Sequence, residues 1–286
     1  MIRMASRTLR TVMVAMGVFV SAAPLGAQPV LLQLRPHVGD TLHVKLEQRV
    51  EMSGTPVSCG DQQGASRSRA SAGVSACGNP RTMNTGMEVY SRAIVKRSMR
   101  HATEMIAITD SVRTSTGKPA SPYISQRQPS SRAPVEIRIS SDGGVEIGEG
   151  PASEEIRTLF GQMPPTLSRK AVAIGEKWVH EMRVPLSVEP GAFGRVRTTF
   201  QLDSLGRNGQ TAYISMRGAL SHDHSDGSDS ETSGTLVGTM QFDRRRSWIT
   251  RTHATIDVWS VVSSPPAGTP MRVHTRVVQS LRVDGQ

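Results

Sequence analysis

The sequence predicts a mainly β protein: one curled antiparallel sheet (half-barrel, barrel or sandwich) of about ten to twelve strands, with one short α-helix near residues 151–163. Three observations predict it. Apolar and polar residues alternate with period two through most of the chain. Turn residues recur between the alternating runs. A single stretch carries helical spacing, and one helix cannot cover so many half-apolar strands, so the sheet must cover itself by curling.

The elements follow in order. A short strand is expected over Val30–Leu34, then a turn at His37-Val38-Gly39-Asp40. Leu42, Val44, Leu46, Val50 and Met52 alternate with His43, Lys45, Glu47, Arg49 and Glu51, a long strand with one wet face. Residues 53–81 are rich in small residues and read as a loop. Met87, Val89, Ala93 and Val95, then Ile106, Ile108 and Val112, predict two strands around a turn near Met99–Ala102. Residues 115–133 are Ser/Pro-rich and read as a mobile loop. Val135, Ile137 and Ile139, the turn Ser141-Asp142-Gly143-Gly144, and Val145 and Ile147 spell a hairpin, because glycine tolerates the positive φ of a tight turn.

The helix candidate opens at Pro151 and Ser153, with Glu154 and Glu155 in its first turn. Ile156, Leu159, Phe160 and Met163 form its apolar stripe, and Pro164-Pro165 ends it. Strands then follow around Trp178–Leu186, Val196–Leu202, Ala212–Leu220, Leu236–Phe242, Trp248–Val258 and Met271–Val283, with a polar loop at 221–233.

The N-terminus sets the expected compartment. Arg3, Arg7 and Arg10 precede the apolar run Val12–Val20 and the small residues ending at Ala27. This is the layout of a signal peptide over residues 1–27. Residues 28–286 are then a single β-rich domain, periplasmic or secreted, with flexible loops near 53–81, 115–133 and 221–233. No transmembrane segment is expected after signal cleavage. Removal of the three leader arginines lowers the net charge from +10 to +7. The remaining positive charge is spread along the chain, which reads as a solvated surface. Nucleic acid is not an expected partner, since 4% aromatic content leaves few stacking platforms. Cys59 and Cys77, in an oxidising compartment and without Cys-x-x-Cys spacing, are expected to form a structural disulfide.

Short motifs carry little chemistry. His180-Glu181 begins a zinc-helix pattern, but Val184 stands where the second histidine belongs, and the local alternation is that of a strand. Ser115-Thr116-Gly117-Lys118 matches Ser-x-x-Lys without the companion motifs of a serine enzyme or a phosphate loop. The segment His222–Glu231 crowds histidines and carboxylates, yet its spacing matches no calcium loop and it reads as a solvated connection. No catalytic residue, cofactor or metal is assigned. Trp178 and Trp248 fall on apolar faces and read as core; Trp259 is out of phase with Ile256 and Val258.

Val38-Gly39-Asp40-Thr41-Leu42, Gly175-Glu176-Lys177-Trp178 and Gly238-Thr239-Met240-Gln241-Phe242-Asp243 each mark a turn or strand start. In this order they resemble an uncharacterised family of exported bacterial β-rich proteins of unknown function. More remotely, a curled sheet with one helix resembles the half-barrel carriers of periplasmic lipoproteins, a likeness of fold that transfers no functional residue. The expected function is therefore non-catalytic binding of a hydrophobic or amphipathic, lipid-like ligand inside the curl. The alternatives are a structural or protein-interaction component of the cell envelope, and a hydrolase whose residues gather only in space. The expected partners are lipid or an envelope protein.

Overall fold

The computed structural model describes residues 28–57, 81–117, 124–128, 133–148, 166–185, 193–206, 208–222, 232–262 and 270–285. Its strands are β1 (Thr41–Pro56), β2 (Arg81–Ser98), β3 (Ala102–Gly117), β4 (Ile124–Gln128), β5 (Val135–Ser140), β6 (Val145–Ile147), β7 (Lys177–Pro185), β8 (Phe193–Gly206), β9 (Thr211–His222), β10 (Thr232–Asp243), β11 (Trp248–Val262) and β12 (Met271–Gly285). All join one antiparallel sheet in the order β6-β5-β3-β2-β1-β12-β11-β10-β9-β8-β7, with β4 paired to β3. The sheet is open, because β6 and β7 end the order without pairing to each other.

Side-chain alternation explains both faces. The register places Glu51, Arg276, Asp257, Thr235, Ala219, Arg197 and Glu181 in one cross-strand row. The adjacent row, one residue along each strand, holds Val50, Val277, Ile256, Leu236, Gly218 and Thr198. A one-residue step crosses the sheet, so the first row is the wet outer face and the second the apolar inner face.

The inner face curls over a plug. Ile139 of β5 and Phe200 of β8 come from distant places in the strand order, yet they belong to one apolar cluster with Leu32, Leu34, Leu167 and Val172. The chain before β1 and the chain before β7 therefore run between the two flanks of the sheet. Val30 and Val172 pair across this plug. The expected strand Val30–Leu34 is corrected here: beyond that one bridge the segment joins no ladder. Its backbone is spent elsewhere, Leu34 N–H donating to Ser141 and Arg35 N–H to Ser247. Val30, Leu32 and Leu34 are buried while Leu31 is exposed, so the alternation was real and its cause was burial in the plug.

The plug also clasps the seam between the flanks. The backbone carbonyl of Asp142, in the β5–β6 turn, accepts from Thr166 and Leu167 N–H. Its carboxylate accepts from Ser140 Oγ and from Arg169 Nε at 2.8 Å. From the other flank, Trp178 Nε1 donates to Thr166 O, and a His180 ring nitrogen bonds Leu167 O at 3.1 Å. Burial raises the Asp142 pKa, but the bonds from Ser140, Arg169 and the Gly144 amide outweigh it and hold the carboxyl below its usual value.

The turns match their residues. Asn208 and Gly209 both have positive φ, 57° and 78°, as a tight primed hairpin turn requires. Gly143 (φ 100°) shapes the β5–β6 turn. In the β10–β11 turn the Asp243 carboxylate accepts from Arg245 and Arg246 N–H, so the basic triplet of the sequence is an exposed turn.

Three loop boundaries are corrected. The loop expected at 53–81 loses its ends to β1 and β2, which run to Pro56 and from Arg81. The loop expected at 115–133 contains the end of β3 and all of β4. β5 pairs with Ala102–Ala107 and leaves the rest of that β3 edge open; β4 takes it over Val112–Thr116. The loop expected at 221–233 gives its ends to β9 and β10. The signal peptide at 1–27, the disulfide pair Cys59 and Cys77, the helix at 151–163 and residues 223–231 lie outside the described residues.

Candidate functional site on the inner face of the sheet

The inner face is filled at one end and half-open towards the other. A row near the plug holds Leu46, Leu281, Thr252, Met240, Ile214 and Leu202. Leu46, Met240, Ile214 and Leu202 are all no more than 2% exposed. Four residues along the strands, about 14 Å away at strand rise, Val50, Val277, Ile256 and Leu236 are only partly buried. The gradient continues to the strand ends. Exposure rises from Leu46 at 2% to Met52 at 36% on β1, and from Val89 at 2% to Met83 at 55% on β2. The plug accounts for the part of the first row that it touches: Leu32 and Leu167 share one buried cluster with Met240, Ile214 and Leu202.

This half-open wall is mainly aliphatic: its partly buried residues include Val50, Leu236, Ile256, Val258 and Val277, with Thr85 and Thr275 in the same rows. Gln48 and Gln279 face each other in register on the inner face between the filled and half-open rows. They are a polar pair that sequence reading passed over. The signal was present as a break in alternation, Leu46-Gln48-Val50.

The residues singled out in the sequence disperse. His180 faces inward, bonding Leu167 O and meeting Phe200 edge-on, whereas Glu181 faces outward beside Arg197. The strand reading of this dipeptide holds, and two residues on opposite faces do not share a metal. Ser115, Thr116 and Gly117 are strand residues of β3. Trp178 stacks on Phe200 at 5.7 Å, and Trp248 packs against both larger core clusters, as expected of core. Trp259 is on the outer face, 41% exposed and stacked on His274 at 4.8 Å. Among the described residues no three His, Cys, Asp or Glu side chains come together as a metal site, and no helix is long and apolar enough to cross a membrane.

No family model matches the chain, and no curated protein matches it. Solved structures similar to it include the following two. One is described as lipid-protein interactions in lipovitellin, at 11% identity and a TM-score of 0.49 over 87% of this chain. The chain spans 26% of that lipovitellin chain. The other is the Salmonella SPI-1 type III secretion injectisome secretin in the open gate state, at 9% identity and a TM-score of 0.18, over 88% of this chain and 60% of that one.

Proposed function

We propose that this is a non-catalytic binding protein of the periplasm or the extracellular space, which holds the acyl part of a lipid-like ligand against the half-open inner wall of its sheet. The observation that carries the reading is the contrast along the inner face: Leu46, Met240, Ile214 and Leu202 are buried, whereas Val50, Leu236, Ile256 and Val277 are only partly buried. Apolar wall that the fold does not cover is favourable surface for an apolar ligand, at about 25 cal/mol per Å² removed from water. An aliphatic wall suits a flexible hydrocarbon chain, and the Gln48–Gln279 amides offer hydrogen bonds to a carbonyl or carboxyl at its end. The outer face supports a water-borne carrier over a membrane wall, since its rows carry Lys45, Glu47, Arg49, Glu51 and Arg276, the reverse of a lipid-facing strand surface.

The test is native mass spectrometry of the mature protein from its own host's envelope, followed by titration with a fluorescent fatty acid. Bound lipid, saturable uptake, and loss of both in Ile256→Glu and Val277→Glu are the expected results. Empty protein that takes up no probe refutes the reading. So does uptake that the two inner-wall substitutions leave unchanged.

A further inference from the structure

We propose that the outer face carries a second binding site, a groove over β1 and β2 that takes an extended, uncharged oligosaccharide. It is separate from the inner wall and does not depend on the lipid reading.

Two hollows on the outer face adjoin at the register pair Glu51 and Asn84. The groove exists because small residues form its floor. Gly86 has no side chain, and a Cβ there would come within 2.5 Å of Ser115 Oγ. Ser53 keeps the floor low at the other end. From Glu47 to Ser53 the groove follows β1 for about 20 Å at strand rise, which matches an elongated ligand rather than an ion or a small metabolite.

Its walls are planar hydrogen-bonding groups: Arg49, Glu51, Asn84 and Arg276. Glu51 and Arg276 are register neighbours, yet among the described residues no ion pair joins them, so both keep hydrogen-bonding capacity for a ligand. Carboxylate, amide and guanidinium groups each present two parallel partners, the geometry that adjacent sugar hydroxyls meet.

Aromatic rings stand at one end. His274 lines the groove and is backed by Trp259, the exposed indole that breaks the alternation of β11. Beyond the other end the Tyr90 ring is already covered, by Arg113 at 5.9 Å and by Lys45 at 5.4 Å, so the Trp259–His274 pair supplies the ring face. Rings that offer an apolar face beside polar groups suit the C–H face of a sugar. Acidic and basic walls in near balance disfavour a polyanion.

The experiment is calorimetric titration of the mature protein with chitohexaose and with cellohexaose, with tryptophan fluorescence read in parallel. We expect saturable binding of at least one, weakened by about tenfold or more in Trp259→Ala and in Gly86→Val, with lipid uptake and the urea midpoint of Trp259→Ala unchanged. No saturable binding of either hexasaccharide at millimolar concentration overturns the proposal. Binding that both variants leave unchanged does the same. Tighter binding of a zwitterionic peptide of similar length would assign the groove to a polypeptide and overturn it too.

Discussion

Replacing Asp142 by alanine should loosen the seam that closes the curl. The side chain is 6% exposed, accepts from Ser140 Oγ, Arg169 Nε and more weakly the Gly144 amide, and anchors the turn that receives Thr166 and Leu167. A buried hydrogen bond to a charged group is worth about 1.5–3 kcal/mol. The Ser140 bond counts near the bottom of that range, because the Ser140 hydroxyl also reaches Gly144 O and is not orphaned. The Arg169 bond is discounted to about 0.2–1 kcal/mol, since its guanidinium is 81% exposed and returns to water. The expected loss is therefore about 2–2.5 kcal/mol in urea unfolding. Amide exchange at Thr166 and Leu167 should accelerate more than at Met240, in the middle of the sheet. The carboxyl is held below its ordinary pKa in the folded state, so its contribution is present above about pH 4 and is lost as pH falls through the folded value. Asp142→Ala should accordingly lose part of the acid-induced destabilisation of the parent protein. A change below about 0.5 kcal/mol, with unaltered exchange at Thr166 and Leu167, would refute the clasp.

Other perturbations follow from the same packing. Leu32→Ala removes a fully buried plug side chain and should cost about 2–5 kcal/mol; urea denaturation measures it, and a loss under about 1 kcal/mol would mean the plug does not hold the filled row. Gly238→Val places a Cβ 2.5 Å from the backbone oxygen of His253 and should cost about 1–3 kcal/mol; an unchanged melting temperature would contradict that close approach. If Cys59 and Cys77 form the proposed disulfide, thiol titration of unfolded protein taken from an oxidising compartment should find no free thiol, and replacing both by serine should cost about 3 kcal/mol; two titratable thiols would reject the pairing.

The amino-acid sequence determined the fold class and most strand positions, because period-two alternation is a local property that any one-sided sheet imposes on each strand separately. It placed the β5–β6 turn through Gly143, which supplies positive φ cheaply. It read β4 as part of a loop, because Ile124-Ser125-Gln126-Arg127-Gln128 has little apolar character and pairs along the part of the β3 edge that β5 leaves open. It placed the start of β10 too late, because Gly234 and Gly238 take inner positions without an apolar side chain to mark them. It read Val30–Leu34 as a strand, since alternation records burial and does not say what does the burying. Tertiary structure alone decided which apolar positions are sealed and which stay half-open. Met240 and Leu236 are equivalent in sequence, four residues apart on one face of β10, and differ in how far the plug cluster reaches them: Met240 is buried within it and Leu236 is partly buried at its border. That reach depends on contacts between residues far apart in the chain, which no local pattern encodes.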